Sequence, residues 1–241
     1  MRTAILSDIH GNLTAFEAVL ADITRQSPDL VLHGGDLADC GSSPIEIVDL
    51  LRHLGWQGVM GNTDEMLVRP ESLDDFASQS SAPPALWETL RQIAAATRSI
   101  LGDERLAWLR GLPYVSTADT FALVHATPQS CWRAPAAEAP DAELEALYGS
   151  LRQPIVVFGH THRPFLRSLA VQPGLLINTG SVGLPYDGDP RASYLILDGS
   201  NASIRRVEYS LEQELQRLSS CGLPGAAWTA SMLRTSAPQL P

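Results

Sequence analysis

The chain has 241 residues, 44% of them hydrophobic and 18% charged, which is enough for one large domain with a sizeable core and ordinary for a globular protein. Its 17 basic residues against 27 acidic ones leave a formal charge of −10. That balance argues against non-specific binding to duplex nucleic acid, which rests on neutralising many phosphates. No apolar run approaches the roughly 20 residues that a membrane helix requires, so no membrane partner is expected. No leader segment is evident ahead of the first strand, and the three cysteines are far apart without a C-x-x-C pair. A reduced, cytoplasmic setting is expected, without a thiolate zinc site.

In chain order, Thr3 to Ser7 reads as a strand leading to Asp8 and His10. Leu13, Phe16, Val19, Leu20 and Ile23 then fall at helical spacing between Asn12 and Gln26, with Asn12 or Gly11 opening the helix. A second strand around Asp29 to His33 runs into Gly34-Gly35-Asp36. Ser43-Pro44-Ile45-Glu46 has cap, proline and capping-box glutamate in register for a helix to about Leu54. Gln57 to Met60 reads as a third strand, and this β-α-β-α-β opening predicts parallel pairing.

Residues 63–112 carry a helical pattern, with Leu86, Leu90, Ile93 and Ala94 on one face and a cap at Asp103 before Leu106 and Leu109. Trp87 and Trp108 are expected in the core. This insertion could cap a site, form a packed helical layer or serve as a dimer face. Strands return at Tyr114 to Thr117 and Thr120 to Val124, which ends at His125. A loop over 126–140 and a helix from Asp141 to Leu151 precede the strand Ile155 to Phe158, which delivers Gly159-His160-Thr161-His162. Hairpin strands follow at Phe165 to Val171, Leu175 to Asn178, Ser193 to Leu197 and Ser203 to Tyr209, with Pro-Gly and Asp-Gly turns between them. A helix from Ser210 to about Leu218 closes the main domain, expected over 1–221, and 222–241 reads as a Gly-, Ala- and Pro-rich tail.

Five apolar strands thus end on potential metal ligands: Asp8, His10, Asp36, Asn62, His125, His160 and His162. Carboxyl ends of strands are where open α/β sheets hold their ligands. Taken singly, His125 could be a hydrogen-bonded structural histidine, Asp8 a cap and Asn62 a turn residue. Four of the six histidines falling in one ordered pattern favours a shared site. The oxygen and nitrogen donors suit manganese, with iron, zinc or nickel as alternatives, and seven ligands are too many for one tetrahedral ion. Two divalent ions, about 3.5 to 4 Å apart, would clamp an in-line phosphoryl displacement and acidify the attacking water.

The series Asp8-x-His10, Gly35-Asp36-x-x-Asp39, Gly61-Asn62-x-Asp64, His125 and Gly159-His160-x-His162 resembles the calcineurin-like metallophosphoesterase family, above all its small prokaryotic phosphodiesterase-type members. The resemblance spans residues 1 to about 183. It implies an α/β fold, a four-layer αββα sandwich of two mixed sheets flanked by helices. It also implies one ion on Asp8, His10 and His162, a second on Asn62, His125 and His160, and Asp36 bridging both, with Asp36, Asn62 and His125 nearest the reaction. The family usually has histidine after the Gly-Asn pair, where it helps to protonate the leaving group; this chain has Thr63. A threonine hydroxyl cannot act as a general acid near neutral pH, which tilts the expectation toward diesters with undemanding leaving groups. Asp39 thereby loses its usual imidazole partner.

Behind the ligands, Asp64 could orient a neighbour or cap a helix, and Asn178 could approach the metals or simply close a turn. Cys131-Trp132-Arg133 could hold a base and a phosphate of a nucleotide. The expected activity is hydrolysis of a small phosphate ester, a diester before a monoester. A binding or scaffold protein of the same fold and a structural metal site are the competing readings. Association between copies of the chain is left open.

Overall fold

A computed structural model describes residues 1–241. Ten strands form two five-stranded mixed sheets. The first contains β1 (Arg2–Leu6), β2 (Leu30–His33), β3 (Gln57–Gly58), β9 (Ala192–Asp198) and β10 (Asn201–Val207), in the order β10-β9-β1-β2-β3. The second contains β4 (Val115–Thr117), β5 (Phe121–Val124), β6 (Ile155–Phe158), β7 (Phe165–Ser168) and β8 (Leu175–Asn178), in the order β4-β5-β6-β8-β7. As the opening pattern predicts, β1, β2 and β3 pair in parallel, and the antiparallel partners are the late hairpin strands. β3 is shorter than expected: Val59 N still donates to His33 O of β2 at 3.0 Å, but Met60 N donates instead to Pro113 O at 2.8 Å.

The two-residue period of the strands divides the core into layers. Ile5, Leu195, Leu197, Leu123, Ile155 and Val157 point between the sheets and form the inner core. Their neighbours Ala4, Leu6, Tyr194 and Ile196 face outward to helices α1 (Leu13–Gln26), α2 (Pro44–Leu54), α3 (Asn62–Val68), α4 (Glu71–Ala77) and α5 (Pro84–Arg110). On the opposite side, Val124, Val156 and Phe158 pack against Leu144 and Tyr148 of α6 (Asp141–Tyr148). Helix, sheet, sheet, helix is the four-layer αββα sandwich.

Local signals held at some helix ends and failed at others. Asn12 caps α1, accepting from Ala15 N at 2.9 Å, and Ser210 caps α7 (Leu211–Ser220). At α2 the expected capping box does not form: Ser43 Oγ contacts Ser42 Oγ at 3.1 Å, and its amide is anchored to Gly11 O. α5 breaks at Gly102 (φ 70°), so Asp103 is the first residue of the second segment rather than its cap. Trp87 and Trp108 pack in the large outer core as expected. The segment from 222 is not an irregular tail throughout, since Ala226–Thr235 forms α8. Its Ala230, Met232 and Leu233 are buried with Leu184 and Leu218, apolar contacts that composition does not reveal. No helix is long and apolar enough to cross a membrane.

Candidate metal centre

All seven predicted side chains converge where the carboxyl ends of β1, β2, β5 and β6 meet the start of α3. Asp8, His10, Asp36, His160 and His162 have φ between 47° and 63°. This left-handed conformation is rare for residues with a side chain and clusters at functional sites. Here it turns each residue sharply off its strand, so that Asp8 and His10 can both face inward within three residues. Close approach also demands small neighbours: a Cβ on Gly61 would collide with Asp36, and one on Gly159 with Asp8 and Ser7.

Two clusters result. In the first, His10 Nε2 lies 3.1 Å from His162 Nε2, and His162 Nε2 lies 3.2 Å from Asp8 Oδ1. In the second, Asn62 Oδ1 lies 3.0 Å from His125 Nε2 and 2.8 Å from His160 Nδ1, and the two nitrogens are 3.3 Å apart. Asp36 Oδ2 sits between them, 3.6 Å from His10 Nε2 and 3.5 Å from His125 Nε2. Asp8, His10, Asp36 and His162 alone offer four ligand atoms within 4.8 Å of one another.

The tautomers decide what such a cluster can hold. His10 Nδ1 faces Asp39 O at 3.2 Å, His162 Nδ1 faces Leu184 O at 2.5 Å and His125 Nδ1 faces Gly34 O at 2.7 Å. A carbonyl only accepts, so each Nδ1 carries the proton and each neutral ring turns its Nε2 lone pair inward. Buried lone pairs facing one another and two carboxylates repel unless a cation lies among them. The residues therefore fit divalent metal. Without one, protons must supply the balancing charge. Burial disfavours a charged His125, yet the Asp36 carboxylate overrides it and pushes the imidazole up to about 9. Asp36 is itself held well below the usual carboxylate range against burial, by His125 first. Burial, reinforced by His125, drops His160 to about 4.

The supporting residues are less uniform. Asp64, buried, accepts from Asp36 N at 2.8 Å, Leu37 N at 3.0 Å and Gly61 N at 3.0 Å. It thus caps α3 and holds the Asp36 turn at once. Asn178 donates to Gly159 O at 2.6 Å and Thr161 Oγ1 at 2.9 Å, tying down the loop that carries His160 and His162. The Thr63 amide donates to Asp36 Oδ1 at 2.9 Å, while its buried hydroxyl has no partner. Asp39 is buried with Oδ1 unpartnered, and burial raises its carboxyl to about 7.

Arg133 lies over the Phe76 ring and donates to Gln79, lining with Phe76, Trp132, Glu143 and His160 a cavity of about 780 Å³. Phe76 belongs to α4, so one edge of the helical insertion borders this cavity while the remainder packs as a layer. Sequence reading missed Glu65. Its buried carboxylate accepts from Tyr114 Oη at 2.8 Å, Cys131 Sγ at 3.1 Å and Trp132 Nε1 at 2.5 Å, fastening α3 to the loop after His125. Those partners are at least 49 positions away, so no local signal marks it.

The model of the calcineurin-like phosphoesterase superfamily domain matches residues 1–202. The chain belongs to that superfamily. It is 32% identical over 242 aligned residues to the uncharacterized protein MJ0912 of Methanocaldococcus jannaschii, covering 92% of this chain and 93% of that one. The crystal structure of a metallophosphoesterase from Sphaerobacter thermophilus is similar over 98% of this chain and 100% of that one, with a TM-score of 0.79 and 28% identity. The symmetrical bis(5'-nucleosyl)-tetraphosphatase of Pectobacterium carotovorum is 28% identical over 169 residues, 64% of this chain. The chain spans about half the length of that tetraphosphatase, 53%.

Proposed function

We propose that this phosphoesterase-family chain is a dinuclear metal-dependent phosphodiesterase that hydrolyses a small phosphate ester, with nucleotides as the first class to examine. The observation that carries the reading is the pair of adjoining clusters of imidazole nitrogens and side-chain oxygens, with the Asp36 carboxylate between them. Asp8, His10 and His162 would hold one ion, Asn62, His125 and His160 the other, and Asp36 both. Two divalent ions, manganese first, with iron, zinc or nickel as alternatives, would supply an acidified water and offset charge developing on the phosphoryl oxygens.

The chain's own residues do the rest. Asp36 sets the separation of the clusters, and its orientation is fixed by the Thr63 amide and by Asp64. Asn62 and His160 are the half-exposed members, so they face incoming substrate, and the cavity beside His160 offers room for its organic group. Phe76, Trp132 and Arg133 there supply apolar surface and one cation for a base and phosphate. Thr63 provides no general acid. Substrates whose leaving group is already a stable anion, such as a phosphate or an aryloxide, are therefore favoured, which is in keeping with the tetraphosphatase relative. Cytoplasmic residence belongs to the same proposal, since all three cysteines are free.

The test is metal content together with hydrolysis of bis-p-nitrophenyl phosphate and p-nitrophenyl phosphate, using metal-stripped protein with manganese, iron, zinc or nickel restored. Two ions and metal-restored turnover favouring the diester are expected. No bound metal would overturn the site, and monoester preference would overturn the substrate class. A catalytically weak binding protein of this fold is the second reading, favoured by Thr63 alone; two ions without turnover on these esters or on dinucleoside polyphosphates would select it.

A further inference from the structure

The two histidines assigned to one ion share a feature that the other ligands lack: the loops that orient them are held by the C-terminal helix. His10 Nδ1 donates to Asp39 O, and the next carbonyl along, Cys40 O, accepts from Thr229 Oγ1 of α8 at 2.7 Å. The His162 ring stacks on Tyr186, with centroids 4.3 Å apart and planes at 19°. The Tyr186 amide donates to His162 O at 3.1 Å, and its hydroxyl donates to Met232 Sδ of α8 at 3.3 Å. Two residues on, Gly188 N donates to Ser236 O, just past the end of α8. Leu184, whose carbonyl takes the His162 Nδ1 proton, is buried with Ala230, Met232 and Leu233. The other cluster is supported differently. His125 leans on Gly34 O, Asn62 opens α3, and the His160 amide donates to Asp8 at 3.1 Å.

We propose that α8 is a brace for one half of the metal centre, acting on His162 through Tyr186 and on His10 through the Cys40 carbonyl. The proposal rests on the dinuclear reading above. Tyr186 is a positioning residue: its ring fixes the imidazole plane of His162 and closes one face of it to solvent. Groups that orient a ligand from behind govern affinity as well as geometry, and losing one typically costs about 10- to 100-fold in metal binding. α8 lies outside residues 1–202 matched by the superfamily model, whereas Tyr186 lies within them.

The test is Mn2+ titration of the full chain by calorimetry in two backgrounds. His125→Ala weakens the second half and leaves Asp8, His10 and His162, whereas His10→Ala does the reverse. Tyr186→Leu should weaken Mn2+ binding about 10- to 100-fold in the first background and leave the second unchanged. Tyr186→Phe, which keeps the ring on His162 but loses the hydroxyl contact with Met232, should recover only part of the affinity, and full recovery would overturn the link from α8 through Tyr186. Thr229→Val should weaken the same half alone, and it serves if Tyr186→Leu fails to fold. Equal losses in both backgrounds, or none in the first, would overturn the brace. A wild-type chain that binds a single ion would end the dinuclear reading, and Tyr186→Leu would still decide the brace by the affinity of that ion.

Discussion

Asp22 ties α1 to the β9–β10 hairpin, far from the metal centre, and its removal tests the electrostatics of the scaffold. The carboxylate, with 7% of its side chain exposed, accepts from Tyr194 Oη at 2.7 Å, Arg205 Nε at 2.7 Å and Arg25 Nη2 at 3.0 Å. The Arg205 hydrogen bond is the largest influence holding the group down to about 2, against 3.8 when unperturbed. A depressed carboxyl pKa stabilises the folded chain above the unfolded value and loses that contribution as pH falls through the folded one. The difference corresponds to about 2 kcal/mol at neutral pH, with roughly half left at pH 3. Asp22→Asn should therefore cost about 2 kcal/mol at pH 7, and the cost should shrink on acidification. Urea unfolding of metal-free protein at pH 7, 5 and 3, with wild type alongside, measures it. A cost that is the same at pH 7 and pH 3 would refute the reasoning, because the loss would then be one of packing rather than charge.

At the centre itself, Asp36→Ala should remove both ions and lower activity by more than about a hundredfold, read as metal content and ester hydrolysis on the same sample. Asp64→Asn places an amide N–H against Leu37 N–H or Asp36 N–H, so Mn2+ affinity should fall about 10- to 100-fold while the fold persists, which calorimetry and circular dichroism together would register. Saturating Mn2+ at about a hundred times its dissociation constant should add about 2.7 kcal/mol of stability for each ion bound, or roughly 5 to 10 °C in Tm per ion, and EDTA should reverse the gain.

Much of the frame was legible because strand ends carry strong local marks. Ile155 to Phe158 is an unbroken apolar run stopped by Gly159, and Leu30 to His33 stops at two glycines, so the approach of their ligands followed from order alone. The left-handed turns at Asp8, His10 and His162 were not legible, since no glycine occupies them and tertiary contacts hold them there. The capping box at Ser43 matched in sequence but lost its geometry to the Gly11 anchor. Asp64 invited a choice between cap and orienting group, yet its two oxygens reach three amides and do both. α8 was hidden because Gly, Ala, Ser and Pro around it read as loop, whereas its stability comes from burying Met232 and Leu233 against Leu184. The cavity at His160 is assembled from α4, the loop after His125 and α6, three segments whose meeting no spacing announces.

The ligand residues also come from opposite sheets. Asp8, His10, Asp36 and Asn62 follow strands of the first, whereas His125, His160 and His162 follow strands of the second. In the proposed assignment each ion takes side chains from both, so metal acts as a rivet across the seam of the sandwich. At this end of the inner core the ligand atoms of the two sheets face each other, while deeper in, Ile5, Leu195, Val157 and Ile177 close the seam by apolar contact. Metal-free protein should then open like a hinge from the ligand end. Amide exchange at Gly34 and Gly159, which donate to Leu6 O and His125 O, would quicken, while exchange near Ile5 and Val157 would stay slow, so that loading metal locks the layers as well as arming the site.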